Sequence, residues 1–194
     1  MSTYTTFDGD RRIATGGLAA NAAAVHAALA AGAAGPVLTF DDATGRVVDI
    51  DPRAVPAEQP APAAEPVLEP APVRGRGRPK LGVVAREVTL LPRHWEWLEG
   101  QPGGASVTLR QLVDEARKAN AGRDARRAAG ERAYRVMQAL AGDLPGFEEA
   151  SRALFADDAH GLARQGASWP RDVLDYVLRL AVPGGEGGEN GNER

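Results

Sequence analysis

From Pro52 to Val73 the chain is built mainly from proline, alanine and glutamate, and no hydrophobic period survives there. Proline donates no backbone hydrogen bond, and alanine with glutamate buries little apolar area. The stretch therefore cannot close a core and reads as an extended, semi-stiff linker. It divides the 194 residues into separate parts. The predicted organisation is a small α+β domain over 1–51, a linker over 52–80 ending in a basic arm, and a strand–helix–helix element over 81–120. A helical region over 121–182 and a disordered tail over 183–194 complete it.

The N-terminal part reads as strand, strand, helix, strand, strand. Thr3–Phe7 is strand-like, and Asp8-Gly9-Asp10 is a hairpin turn into Arg11–Ala14. Asn21 is placed to cap a helix over 22–31, with Val25 and Leu29 on its buried face and Gly32 and Gly35 ending it. Pro36–Phe40 and Arg46–Ile50 are the last two strands, joined by the turn Asp41-Asp42-Ala43-Thr44-Gly45. The two aspartates suit a hairpin turn better than a metal site, because the glutamate that closes a calcium loop is missing.

Beyond the centre, Ala133, Val136, Met137 and Leu140 carry the spacing of an amphipathic helix over 123–141, with Arg123, Arg126, Arg127, Arg132 and Arg135 on its polar face. Asp143-Leu144-Pro145-Gly146 breaks it. Phe147, Ala150, Leu154 and Phe155 define the apolar side of the next helix. Pro170 opens a last one, with Val173, Leu174, Val177 and Leu178 facing inward. The fold class is therefore α+β: an N-terminal ββαββ unit, a Pro/Ala linker, then a strand–helix–helix element running into a helical bundle.

Charge is distributed unevenly along the chain. Residues 1–73 carry 4 basic and 9 acidic side chains, residues 74–135 carry 14 and 7, and residues 136–194 carry 5 and 10. A centre of net +7 between two flanks of net −5 suits a polyanion. The absence of cysteine excludes disulfides, thiolate nucleophiles and cysteine-based zinc sites. No signal peptide and no apolar run of about 20 residues is visible, so a soluble cytoplasmic protein without a membrane partner is expected. His26, His94 and His160 fall in three separate parts of the chain, with no phosphate-binding glycine loop and no metal-spaced ligand set beside them. No catalytic residue, metal or cofactor is expected, and the chain is not read as an enzyme.

The centre carries the strongest functional signal. Arg76-Gly77-Arg78-Pro79-Lys80 resembles the AT-hook, a peptide whose glycine lets the backbone enter a narrow minor groove while arginines follow its floor. Gly75 stands where that motif has a proline, and a solvated basic linker is the alternative. Val83–Leu91 is strand-like, Pro92 opens a short helix with His94, Trp95, Trp97 and Leu98, and Gln101-Pro102-Gly103-Gly104 turns into a second helix through Lys118. That order resembles the ribbon-helix-helix repressors. The resemblance implies that two chains share an antiparallel ribbon in the major groove and that Ser106, at the second helix start, meets a phosphate. Its weak point is the reading face, where strand alternation puts Glu87 beside Thr89.

A longer match covers nearly the whole chain. Gly77–Leu98, the N-terminal unit, the linker, Leu144-Pro145-Gly146-Phe147 and Trp169-Pro170-Arg171-Asp172-Val173 resemble an uncharacterised bacterial family catalogued as domain of unknown function 2239. That resemblance brings no established activity. The expectation drawn from the residues is a homodimeric DNA-binding protein, regulatory in role, contacting DNA through Arg74, Arg76, Arg78, Lys80, Arg86, Thr89 and Ser106. The alternative is a protein–protein interaction module, with a partner held by the linker or by the Arg-rich helix.

Overall fold

The computed structural model describes residues 2–50, 84 and 86–184. They fall into two compact units, one formed by 1–57 with 120–194 and the other by 58–119. The linker and the basic arm lie outside the described residues, as does the tail beyond Gly184.

The first unit contains the expected ββαββ order. Strands β1 (Tyr4–Asp8) and β2 (Arg11–Gly16) form the hairpin; helix α1 (Leu18–Ala30) follows, then β3 (Val37–Asp41) and the two-residue β4 (Val47–Val48). All pairings are antiparallel and the strand order is β2-β1-β3-β4. β1 is central, and four of its five residues are buried because both faces are covered. Strand alternation then sorts its side chains. Thr6 faces α1 and donates to Asn21 Oδ1 at 2.7 Å, while Phe7 and Thr5 face the C-terminal helices through Tyr176 and Arg179. On β3 the sorting repeats, with Thr39 bonded to Thr6 and Phe40 against Tyr176.

Asn21 does not cap α1. Gly17 occupies that position, and α1 begins three residues before Asn21. The Asn21 side chain is fully buried, and its amide donates toward the Tyr4, Gly16 and Gly17 carbonyls at 3.2, 3.1 and 2.9 Å. A short polar side chain at a helix start satisfies loop carbonyls as readily as helix amides, so sequence alone does not separate the two uses. The buried face of α1 is Asn21, Ala22 and Val25; Leu29 stays half exposed.

Helices α3 (Gly104–Ala141), α4 (Phe147–Phe155), α5 (Ala159–Gln165) and α6 (Arg171–Ala181) complete the elements C-terminal to residue 104. The part of α3 from residue 120 onward belongs to the first unit. Here the predicted separation of 1–51 from 121–182 does not hold. Phe7 and Phe40 share one core with Ala133, Val136, Met137, Val173, Tyr176, Val177 and Leu180. A five-residue central strand flanked by an alanine-rich helix has too little apolar area for a core of its own, and the later helices supply it. Tyr176 is the largest fully buried side chain, with ring centroids 5.3 Å from Phe7 and 6.1 Å from Phe40. Phe155, expected inside, is exposed.

In the second unit, helix α2 (Pro92–Glu99) starts where Pro92 predicts, with Pro in its first turn. Gln101-Pro102-Gly103-Gly104 is a turn closed by Gly104 N–H donating to the Gln101 carbonyl at 3.0 Å, and Gly103 takes a left-handed φ of 88° that an L-residue avoids. α3 then runs for 38 residues without the break expected after Lys118. Asn120, Ala121 and Gly122 carry no proline to stop it. The expected strand is absent: Arg86 to Leu91 form no strand. Val88 and Leu91 are exposed and Leu90 is half-buried, so neither alternating face of this segment packs as a strand face would. Among the described residues no helix is long and apolar enough to cross a membrane.

Candidate functional site

Four of the seven predicted DNA contacts, Arg74, Arg76, Arg78 and Lys80, lie outside the described residues. The other three are in the second unit and are exposed: Arg86 and Thr89 in the unpaired segment before α2, and Ser106 in the first turn of α3. Thr108, two residues on, turns inward and donates to the Gly104 carbonyl at 3.1 Å, which leaves Ser106 facing water. Between Val84 and Ala119 the described residues hold five basic side chains (Arg86, Arg93, Arg110, Arg117, Lys118) and five acidic ones (Glu87, Glu96, Glu99, Asp114, Glu115). The described part of this unit is thus charge-balanced. The basic excess of the centre resides in Arg74–Lys80 and in the later turns of α3.

Those later turns, in the first unit, separate into two roles. Arg132, assigned to a solvated polar face, is buried and donates from Nε to the Leu180 carbonyl at 2.8 Å and from Nη2 to the Val182 carbonyl at 2.7 Å. It ties the C-terminal end of α6, where a guanidinium satisfies carbonyls left without helical partners and meets the negative end of the helix dipole. Arg135 donates to the Thr44 carbonyl at 2.6 Å and so holds the β3–β4 turn. Arg123, Arg126 and Arg127 remain exposed. They share one face of α3 with Gly130 and border a cavity of about 330 Å³ walled on its other side by Leu154, Phe155 and Asp157.

A second cluster lies behind the sheet. Tyr176 Oη donates to Asp42 Oδ1 at 2.8 Å, and both terminal nitrogens of Arg179 reach Asp42 Oδ2 at 3.4 Å. Arg179 also donates to Thr5 Oγ1 at 3.2 Å and lies over the Tyr176 ring, 5.0 Å from its centroid. Burial, reinforced by the charge of Asp42, pushes the Tyr176 phenol well above its ordinary value. The proton therefore stays on the phenol and the group is no base. Asp42, nearly buried, has a donor on each oxygen, which is what an ionised carboxylate needs inside a protein. This is a tie between the β3–β4 turn and α6. Read from its neighbours, Asp42 has only a turn role, because nothing local marks a contact 134 residues away.

His26, His94 and His160 are all exposed, and among the described residues no group of three His, Asp or Glu is placed to hold a metal. A family described as an uncharacterized protein conserved in bacteria (DUF2239) matches residues 3–181. The chain belongs to this family. The match spans the linker and every described strand and helix. No curated protein and no solved structure matches the chain.

Proposed function

We propose that this DUF2239 protein binds DNA as a self-associating chain, with the arm Arg74–Lys80 contacting phosphates and residues 84–119 holding two copies together. The carrying observation is the contrast between these neighbouring segments. The arm has four basic side chains and no acidic one. The described part of the second unit is charge-balanced, yet Val84, Val88, Leu91, Trp97, Leu112 and Val113 are 42–71% exposed. Apolar side chains in that number on a small unit favour a protein partner. Charge balance favours a second copy, since two neutral surfaces meet without repulsion. Pairing two copies also joins two arms, so that the second arm binds at high effective concentration. Arg86, Thr89 and Ser106 then add backbone contacts beside each arm rather than base reading.

Salt dependence tests both parts together. Four phosphate contacts give a slope of log K against log salt of about −4, and eight give about −7. The expected result for duplex DNA in a mobility-shift series is the steeper slope, falling to about −4 in R76A/R78A. A slope that ignores the double substitution removes the arm, and a slope near −4 for the unaltered chain removes the pairing. Association without any DNA binding leaves the protein-interaction module as the surviving reading.

A further inference from the structure

We propose that the cavity between α3 and the end of α4 is a binding site for single-stranded nucleic acid, in which a base stacks on Phe155 and its phosphate is held by Arg123, Arg126 and Arg127. The site lies wholly within the first unit and requires neither the arm nor self-association. Three observations converge on it. First, Phe155 is 61% exposed although it belongs to a core helix whose other large apolar positions are covered. Its ring is supported on one side by Tyr134, with centroids 5.4 Å apart, and its remaining surface is open. Second, Gly130 stands where the next side chain of the arginine face would be, and a Cβ there would come within 3.8 Å of the Phe155 ring. A helix-interior glycine is unfavourable by about 1 kcal/mol relative to alanine, and here the Phe155 ring lies over the buried Gly130 at the cavity wall. Third, Arg126 and Arg127 each lie one turn beyond Arg123, and all three exposed arginines line the cavity.

The acids at the site do not block an anion. Asp157 pairs with Arg126 across 3.8 Å and Asp124 with Arg127 at 3.2 Å, and all four side chains are more than half exposed. Exposed pairs of this kind are weak, and a phosphate accepting two guanidinium hydrogen bonds displaces them. Glu131 is engaged by Arg135 at 3.5 Å. A volume near 330 Å³ is at the small end of ligand sites, enough for one base and its phosphate rather than a folded partner. A base matches the Phe155 ring in shape, and stacking with arginine contacts is how single strands are held without sequence preference.

The test uses the full chain carrying R74A/R76A/R78A/K80A, which leaves the arm without a basic side chain, so that failure of the arm reading is not confused with failure here. Fluorescence anisotropy follows a labelled twelve-residue oligothymidylate at low salt. The expected result is binding that weakens about tenfold in F155A and in F155L but persists in F155W, because stacking needs a ring and not only apolar bulk. R126A/R127A weakens binding and flattens its salt dependence by about 1 to 2 in slope. Competition with thymidine monophosphate separates the sources: displacement at matching concentration identifies a free-nucleotide site, and weak displacement identifies a strand. Circular dichroism confirms that the Phe155 variants fold, as expected for an exposed ring. Absence of binding, equal binding by F155L, or tighter binding of an acidic phenylalanine-containing peptide would overturn the proposal.

Discussion

The two compact units spend their apolar residues in opposite ways. In the first, Phe7, Phe40, Val136, Met137, Tyr176 and Leu180 are all sealed from water. Among the described residues of the second, only Leu98 and Thr108 are buried, while Trp97, Val88 and Val113 are each more than half exposed. Burial of a large apolar side chain is worth roughly 1.5–3 kcal/mol, so the first unit has a folding drive of its own and the described part of the second has little. Helix propensity and the turn at Gly103 account for α2 and the start of α3; they do not account for leaving a tryptophan in water. The difference separates a region shaped by its own core from one whose described apolar side chains stay largely in water.

The largest expected effect sharpens this contrast. Phe40→Ala removes a fully buried ring and should lower stability by about 3–5 kcal/mol in urea unfolding, whereas Trp97→Ala should change it by no more than about 0.5 kcal/mol at concentrations where the chain is monomeric. Equal losses would break the distinction. Next is Asn21→Ala, which strips the Tyr4, Gly16 and Gly17 carbonyls and the Thr6 hydroxyl of their partner, for a loss of about 1–3 kcal/mol by the same measurement. A loss as small as that of a surface change would mean that water replaces the amide.

The third effect depends on pH. Tyr176 keeps its proton in the folded state far above the ordinary value of 10.0, while the unfolded chain ionises near that value. Above it the folded state binds more protons, so stability is fully present below about pH 10 and falls as pH rises, by up to about 1.4 kcal/mol per pH unit. Tyr176→Phe should be less stable at neutral pH and should show a shallower alkaline decline; parallel curves would remove the phenol from the account. The smallest effect belongs to the second unit. Trp97→Ala should leave the thermal midpoint of the monomer nearly fixed and weaken self-association in sedimentation, and unchanged association would move the contact to other residues.

Much of the fold was legible because its signals are local. Gly9 sits in the hairpin turn at a φ of 61°, Pro92 opens α2, and the spacing of Val173 with Val177 marks the inner face of α6. What escaped is what depends on distant partners. The joining of 1–51 to the later helices rests on Phe7 and Phe40 meeting Tyr176, and Tyr176 falls between Val173 and Leu180 on a helical period that also admits a surface tyrosine. Arg132 looked like one of five polar-face arginines, and only the position of the α6 carbonyls sets it apart. The strand over 83–91 followed from β-branched composition, and propensity without a pairing partner among the described residues does not make a ladder. For the site, the exposed arginines of α3 could be read from the sequence, while the exposure of Phe155 beside them could not.

The meeting of Tyr176 with Phe7 has a temporal side as well. A chain emerging from its N-terminus releases β1, β2, β3 and α1 long before α6, so the sheet must wait with the face carrying Phe7 and Phe40 uncovered until residues 171–181 arrive. Contacts this far apart close slowly, and an uncovered aromatic face is prone to aggregation in the interval. Among the described helices, the one made last is the one that lets the first strand finish folding.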